Sequence, residues 1–271
     1  MMTHDIIPRG SIIGMVHLLP LPGVPGALGM SALLDRALSD VDSLLAGGVE
    51  GLLIENMHDF PCVREREMGP EVAASLAVVG GEIRRHVGPQ LPLGLQVLFA
   101  ANRTAVAVAA AAGLNFIRAE GWTYGHLSDK GWVEASAGAV VRYRKQIEAE
   151  EILVWADVKK KHASHAITAD LSLAEQVANI ALHRADGVVI TGATTGQAPS
   201  LEDVQAATAA SSLPVVLGSG VTAQNISRYQ DLWHAVIVGS SVKEGGDWRQ
   251  PVDQERVRQL VEARDALLTC E

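Results

Sequence analysis

Residues 214–241 read PVVLGSGVTAQNISRYQDLWHAVIVGSS and carry the most specific local pattern in the chain. Two short β-branched runs, PVVL and AVIV, are each followed by a glycine–serine turn, GSG at 218–220 and GSS at 239–241. Runs that are apolar throughout are typical of parallel strands whose two faces are both covered. The stretch therefore predicts two consecutive strand–turn units of an α/β protein.

The same kind of unit recurs along the rest of the chain. Apolar or β-branched runs begin near residues 11, 51, 93, 115, 152, 187, 214 and 235. Segments with helical spacing lie between or after them, for example at 31–48, 103–113, 172–185 and 254–268. Eight β/α repeats in about 250 residues predict a single (β/α)8 TIM barrel with a parallel eight-stranded core. No linker divides the sequence, so one domain is expected over residues 1–271.

An open Rossmann-like sheet is the alternative fold. It would place a G-x-G-x-x-G turn directly after the first strand. The segment that follows the first run is HLLPLPGVPG at 17–26, and its prolines suit a long surface loop better than an immediate helix start. This difference favours the closed barrel.

Composition and charge exclude several classes of partner. The net charge is −9 and the basic residues are scattered except around 158–162, so no broad basic face for nucleic acid is expected. The small-apolar run AVAVAAAAG at 105–113 is far shorter than the roughly 20 residues that cross a bilayer. We expect neither a nucleic-acid partner nor membrane insertion.

Location and assembly follow from weaker signals. Two cysteines, Cys62 and Cys270, are too few for a disulfide framework, and the N-terminus lacks the pattern of a secretory signal. Both observations predict a cytoplasmic protein. A helix over 103–113 that is apolar on nearly every side predicts a homo-oligomer, although tight packing within one subunit is the alternative.

Polar residues stand where the predicted strands end, which is where TIM barrels place their chemistry. Strand residues two apart point the same way, so Arg118 is in phase with Glu120, and Asp157 with Lys159. Ion pairs that merely close the top of the barrel are the alternative interpretation. The candidates at the strand ends are His17, Glu55, Asn56, Gln96, Arg118, Glu120, Asp157, Lys159, Thr191, Thr194 and Thr195.

The turns after the last two strands predict a phosphate site. Glycine lets backbone N–H groups approach an anion closely, and barrels commonly hold phosphate at this position. Plain tight turns are the alternative. The hydroxyls of Thr191 and Thr194 are placed to bind sugar hydroxyls or a second anion, or else to cap the next helix. The predicted phosphate ligands are Gly218, Ser219, Gly220, Gly239, Ser240 and Ser241.

Several motifs together resemble the BtpA/SgcQ family. They are GMVHLLPLPGVPG, GLLIENMHDFP, GLNFIRAEG, ADVKKKHA, VVITGATTG, LGSGVTAQN and VIVGSSVKEG, and they span nearly the whole chain. The resemblance implies a TIM barrel of the phosphate-binding kind. The family takes its name from a cyanobacterial factor that affects photosystem I accumulation. The segments VLFAANR and FIRAEGWTYGH depart from the VLRND-like and RVN-like segments of many bacterial members, which puts Glu120, and with it Tyr124 or His126, at the mouth.

These residues predict an enzyme that acts on a phosphorylated small molecule, either a sugar phosphate or a nucleoside-type compound. Isomerisation and C–N or C–C bond cleavage are the candidate reactions. Glu55 and Asp157 would form the acid/base pair, with His17 as a further proton carrier. Lys159 and Arg118 would stabilise negative charge, and Asp157 beside Lys159 favours this electrostatic role over imine formation.

Two alternatives remain open at this level. One is a non-catalytic assembly or stability factor of the BtpA type, for which an exposed apolar patch is expected. The other is a metal site built from His162, His165 and Asp170, since the histidines are three residues apart. No second His or Cys pair reinforces the metal site, so no metal or cofactor is predicted.

Overall fold

Eight parallel strands form a closed barrel in the computed structural model, which describes residues 3–192 and 194–269. Each strand pairs with its neighbours along the chain, and the eighth closes on the first, with Ser11 opposite Ala235. The predicted TIM barrel is therefore confirmed. The barrel strands are β1 Ser11–His17, β2 Gly51–Glu55, β3 Leu93–Gln96, β4 Phe116–Ala119, β5 Leu153–Val158, β6 Gly187–Ile190, β7 Val215–Leu217 and β8 Ala235–Val238.

Helices surround the barrel, and the four predicted over 31–48, 103–113, 172–185 and 254–268 are all present. They begin and end as follows: α1 Thr3–Ile6, α2 Met30–Ala46, α3 Pro70–Val87, α4 Asn102–Ala112, α5 Ala137–Gln146, α6 Leu173–Leu182, α7 Leu201–Ala210 and α8 Gln254–Leu268. The connection from β7 to β8 contains only a 3₁₀ turn, Ile226–Tyr229. Ser172 caps α6 by accepting a hydrogen bond from the backbone N–H of Glu175, as a capping box does.

Alternate side chains of the barrel strands point inward and form an apolar layer below a layer of polar positions. Residues two apart on one strand point inward together, and the lower inward positions are apolar, among them Met15, Leu53, Phe116 and Trp155. Phe116 fits because β3 carries glycine at position 94, where an added Cβ would lie 2.3 Å from the ring. The apolar layer closes the barrel interior and leaves the upper inward positions for polar groups.

The N-terminal end of the barrel is covered by α1 and the residues around it. Thr3 donates a hydrogen bond to the carbonyl of Asp186 at 2.7 Å and lies 3.3 Å from the indole nitrogen of Trp155. Ile7 joins the apolar cluster inside the barrel and is fully buried. This end is therefore a packed floor, so access to the interior comes from the opposite end.

A small antiparallel sheet, here called the cap sheet, lies over the C-terminal end of the barrel. Its strands are His126–Ser128, Gly131–Val133 and Ala163–Ser164, in the loops after β4 and β5. The sequence does not predict it, because its strands are two or three residues long. The cap sheet positions His126 above the polar mouth.

Three remaining expectations concern the whole chain. Across residues 3–192 and 194–269, none of the helices has the length and apolar character needed to cross a bilayer. Cys270 lies outside the described residues, while Cys62 is a partly buried free thiol. Helix α4 buries most of its apolar side chains against its neighbours, Val106 and Val108 among them, so its composition does not require a second subunit, and the homo-oligomer stays a prediction.

Candidate active site

Four predicted polar residues occupy the top inward positions of the barrel. His17, Glu55, Arg118 and Asp157 each follow, two residues later, one of the apolar residues that fill the interior. Each is at most 6% exposed. The alternation of strand side chains thus brings together groups that lie far apart in the sequence.

Arg118 and Asp157 form a buried two-pronged ion pair between β4 and β5. Arg118 Nε donates to Asp157 Oδ1 at 2.9 Å and Nη2 donates to Oδ2 at 3.3 Å, while Nη1 reaches the carbonyl of Gly218 at 3.3 Å. Burial alone would raise the pKa of Asp157, but the charges of Arg118 and Lys160 outweigh burial and lower it. Asp157 is therefore a carboxylate at neutral pH.

A second ion pair joins the loops after β4 and β5. Lys160 Nζ lies 2.5 Å from Glu120 Oε1 and 3.6 Å from Asp157 Oδ2. Gln96 donates to the same Glu120 oxygen at 2.7 Å, and the backbone N–H of Ala100 donates to the other at 3.2 Å. Burial opposes the charge on Lys160, but Glu120 and Asp157 raise its pKa overall. Glu120 thus lies at the mouth, as predicted.

The lysines at the mouth follow the predicted one, Lys159, by one and two residues. β5 ends at Val158, and Lys159 adopts a left-handed backbone with φ of 47° and an exposed side chain. The prediction that Lys159 faces the mouth is therefore wrong, because the alternation of a strand does not continue past its last residue. Lys160 and Lys161 lie at the mouth instead.

Glu55 is the acidic group of the site with the fewest partners. Its Oε2 lies 3.7 Å from His17 Nε2, and the described residues donate no hydrogen bond to its carboxyl group. Burial raises the pKa of Glu55, although the charges of Lys161 and Lys160 act against this. Burial also lowers the pKa of His17 well below its usual value, with the charge of Lys243 adding to the effect. An acid with a raised pKa thus faces a neutral imidazole.

The predicted phosphate loops border the same polar mouth. All six of their residues line a cavity of about 30 Å³ together with His17, Glu55, Arg118 and Lys161. The backbone N–H groups of Gly220, Ser240 and Ser241 make no hydrogen bond to the described residues. Gly220 has φ of 68°, and an added Cβ there would lie 2.1 Å from the backbone of Gln197 and Ala198. These free donors surround a space next to the charged groups.

A larger cavity of about 260 Å³ opens beside the phosphate loops and beneath the cap sheet. It shares Glu55, Met57, Lys161 and Thr195 with the smaller polar cavity. Apolar side chains form much of its wall, and polar groups of the cap sheet complete it. The apolar residues are Met57, Phe60, Leu98, Phe99, Val133 and Trp248. A ligand can therefore extend from the phosphate loops past Glu55 into a largely apolar chamber.

The remaining three predicted ligand residues lie in three different environments. Asn56 lies between the loops after β2 and β3, where its amide is occupied by Asp59 and the backbone of Leu98. It lines neither of the two cavities at the mouth. Thr194 is exposed and lines neither cavity, whereas its neighbour Thr195 lines both. The hydroxyl of Thr191 is buried and has no partner among the described residues.

The histidines of the suggested metal site have separate partners. His162 Nε2 lies 2.9 Å from the hydroxyl of Thr195, and His165 Nε2 lies 2.9 Å from the carbonyl of Lys160. Within the described part of the chain, no group of three or more His, Cys, Asp or Glu residues is placed to hold a metal. The geometry instead assigns His162 to the edge of the larger cavity.

Some residues of the site lie on loops, and the sequence does not predict their positions. Lys160 and Lys161 stand in the visible KKK run, so the signal exists, but the strand end decides which lysine turns inward. Trp248, after β8, places its carbonyl 3.2 Å from His17 Nδ1 and its ring 4.8 Å from that of His58. Nothing in the local sequence of Trp248 indicates this position.

The chain matches known proteins over most of its length. A model of the BtpA family matches residues 9–266. An uncharacterized mitochondrial protein of Caenorhabditis elegans is 39% identical over 257 residues, which cover 93% of this chain and 92% of that protein. The photosystem I biogenesis protein BtpA of a Synechocystis species is 35% identical over 254 residues, covering 93% and 87% respectively.

Solved structures show the fold. A thiamine phosphate pyrophosphorylase from Pyrococcus furiosus aligns with a TM-score of 0.59 and 12% identity, covering 95% of this chain and 96% of that one. A phosphoribosyl anthranilate isomerase from Thermus thermophilus aligns with a TM-score of 0.55 and 16% identity, covering 95% and 99%. At these identities the similarity extends to the barrel and not to the reaction.

Proposed function

Since the chain belongs to the BtpA family, we propose that it is an enzyme that acts on a phosphorylated small molecule by acid/base chemistry centred on Glu55. The observation that carries the proposal is the shared cavity, in which the phosphate loops, Glu55 and a group of cations face one another. A sugar phosphate or a nucleoside-type compound fits this arrangement. Isomerisation and C–N or C–C bond cleavage are the reactions that acid/base groups of this kind perform.

The phosphate group binds at the loops after β7 and β8. Free backbone N–H groups and the hydroxyls of Ser240 and Ser241 supply donors, and Arg118 supplies positive charge nearby. The solved structures that share the fold include proteins named for phosphorylated compounds, which is consistent with this site. Binding the phosphate at a fixed point positions the rest of the ligand against Glu55.

Proton transfer is assigned to Glu55 and His17 in preference to Asp157. A general acid needs a pKa near the working pH, and burial shifts Glu55 in that direction. His17 Nε2 lies 3.7 Å from Glu55 Oε2, and burial disfavours the protonated imidazole, so His17 can relay a proton without retaining it. Asp157 is held as a carboxylate by two cations, and its role is to fix Arg118 and Lys160, which stabilise negative charge that develops on the ligand.

The test is turnover of a panel of phosphorylated sugars and nucleosides, followed by mass spectrometry of the products. Glu55→Gln should lower turnover by at least about a hundredfold, as expected for loss of a general acid, while phosphate binding persists. Glu151→Gln is the matched control, since Glu151 is exposed just before β5, at the opposite end of the barrel. Equal turnover in both variants would refute the assignment.

A non-catalytic assembly factor is the competing function, because a relative with 35% identity is named a photosystem I biogenesis protein. Exposed large apolar side chains are present on several segments, Leu28, Val78 and Leu182 among them, and two more, Leu127 and Trp132, lie opposite each other on the cap sheet. Two results together would support the assembly-factor function. No phosphorylated compound would bind or turn over, and a variant with altered phosphate loops would still bind a membrane-complex partner. The buried, charged mouth favours the enzyme.

A further inference from the structure

Lys161 is a cation of the mouth whose side chain has no partner among the described residues, whereas the neighbouring cations are paired with carboxylates. Its neighbour Lys160 is held by Glu120 at 2.5 Å and by Asp157 at 3.6 Å. None of the described residues forms a hydrogen bond or an ion pair with the side chain of Lys161. Lys161 nevertheless lines both the polar cavity and the larger apolar one, together with Glu55. A lysine without a partner, in a site that pairs its other cations, is available to a ligand.

The surroundings of Lys161 increase the fraction of its side chain that is a neutral amine. Burial lowers the pKa of Lys161 to about 8, and the charges of Lys160 and Arg118 act in the same direction. At pH 7.5 an amine with that pKa is about one quarter neutral, whereas an ordinary lysine is about a thousandth neutral. A neutral amine is a nucleophile, and proximity to another cation is an established way to produce one.

We propose that Lys161 forms an imine with a carbonyl carbon of the ligand, so that the substrates are phosphorylated aldehydes or ketones. The substrate class rests on the proposed function, because the phosphate loops hold the other end of the molecule. Lys161 and the loops line the smaller cavity, and Lys161 and Glu55 also line the larger one. A carbonyl a few bonds from the phosphate therefore lies next to the lysine.

The step balances with groups already present. The neutral amine of Lys161 attacks the carbonyl carbon, a C–N bond forms, and one N–H proton moves to the oxygen to give a carbinolamine. The protonated carboxyl of Glu55 then gives its proton to the hydroxyl, the C–O bond breaks and water leaves. The products are a protonated imine, one water and the Glu55 carboxylate, so no oxidant, reductant or further reactant is consumed.

The remaining groups around Lys161 suit this chemistry. The wall formed by Met57, Phe99 and Trp248 limits access of bulk water to the imine. The protonated imine carries one positive charge, and the Glu55 carboxylate formed in the same step offsets that charge. Carbanion character that develops on the carbon beside an imine is delocalised onto nitrogen, which explains why acid/base groups and a lysine share one site.

Reductive trapping tests the inference. The protein is incubated with glyceraldehyde 3-phosphate and cyanoborohydride, and the modified lysines are mapped by peptide mass spectrometry. The reduced adduct should form at Lys161 at least tenfold faster than at the exposed Lys145 and Lys159, and excess inorganic phosphate should slow it. Lys161→Arg should abolish this adduct, whereas Lys159→Arg should leave it unchanged, since Lys159 faces solvent.

Two further probes separate the inference from the proposed function. Glyceraldehyde without the phosphate should label Lys161 much more slowly; equal labelling by both aldehydes would keep the imine and reject the phosphate anchor. Formaldehyde with cyanoborohydride reports on the amine alone, and its rate at Lys161 should rise with pH and level off above about 8. If phosphate stabilises the protein against heat but neither glyceraldehyde 3-phosphate nor formaldehyde prefers Lys161 over Lys159, the imine is refuted and the phosphate site stands.

Discussion

The ammonium of Lys243 lies 2.9 Å from Oδ2 of Asp40, and both side chains are almost completely excluded from solvent. Asp40 also accepts a hydrogen bond from the backbone N–H of Val252 at 2.8 Å. Lys243 follows Ser241 by two residues, so this ion pair ties the phosphate loop after β8 to helix α2. The loop is therefore fixed before any ligand binds.

Removing the negative partner should destabilise the protein strongly. Asp40→Asn leaves Lys243 buried without a counter-charge, which typically costs about 3–5 kcal/mol of the free energy of unfolding. Asp42→Asn is the matched control on the same helix, because Asp42 is exposed, and it should change the value by less than about 0.5 kcal/mol. Urea denaturation measures both, and a loss below about 1 kcal/mol in Asp40→Asn would contradict this role.

The glycine at position 220 should be required for phosphate binding. A methyl group there meets the backbone of Gln197 and Ala198 at 2.1 Å, and φ of 68° adds strain, so Gly220→Ala must displace the loop. We expect a loss of about 1–3 kcal/mol in stability and no stabilisation by phosphate. Thermal unfolding with and without phosphate provides both numbers.

Gly81→Ala is the control for that substitution. Gly81 lies in α3 with nothing within 4 Å of an added Cβ, so alanine should stabilise the helix by up to about 1 kcal/mol. Its response to phosphate should equal that of the wild type. Loss of the response in both variants would mean that the effect of Gly220→Ala is not specific to the loop.

Acid should destabilise the protein through His126. Burial, with the charge of His165, lowers the pKa of His126 to about 4. The unfolded chain, with a histidine pKa near 6.5, binds more protons between these values, so stability is complete above about 6.5 and is lost as the pH falls towards 4. The loss from this residue amounts to about 3 kcal/mol. His126→Gln should flatten the pH dependence of the free energy of unfolding, and parallel curves would contradict the assignment.

The fold was predictable because its signal is repeated eight times. Each barrel strand is an apolar run bounded by turns, and parallel burial makes such runs visible in the sequence, as in AVIV at 235–238. The positions of the two glycine–serine turns were predictable for the same reason, since they follow from the order of the strands. Glu55 and Arg118 were found because both lie at a strand end, where the two-residue alternation still applies.

The rest of the site depends on contacts that no local pattern encodes. The alternation of the strand, if it continued past Val158, would favour Lys159 over Lys160, but the backbone turns left-handed at Lys159. The pairing of Asp40 with Lys243 spans 203 residues, and nothing near Asp40 indicates its partner. The cap sheet escaped prediction because strands of two or three residues are too short to show an alternating pattern.

Binding of phosphate at the loops after β7 and β8 is the central claim, and thermal unfolding with matched ligand pairs tests it most directly. Phosphorylated sugars at about a hundred times their Kd should add about 2.7 kcal/mol of stability and raise the Tm by several degrees. The same sugars without phosphate should have no effect, and Ser240→Asp, which places a negative charge at the loop, should abolish the shift. No shift with any phosphorylated compound, or an equal shift in Ser240→Asp, would contradict the claim.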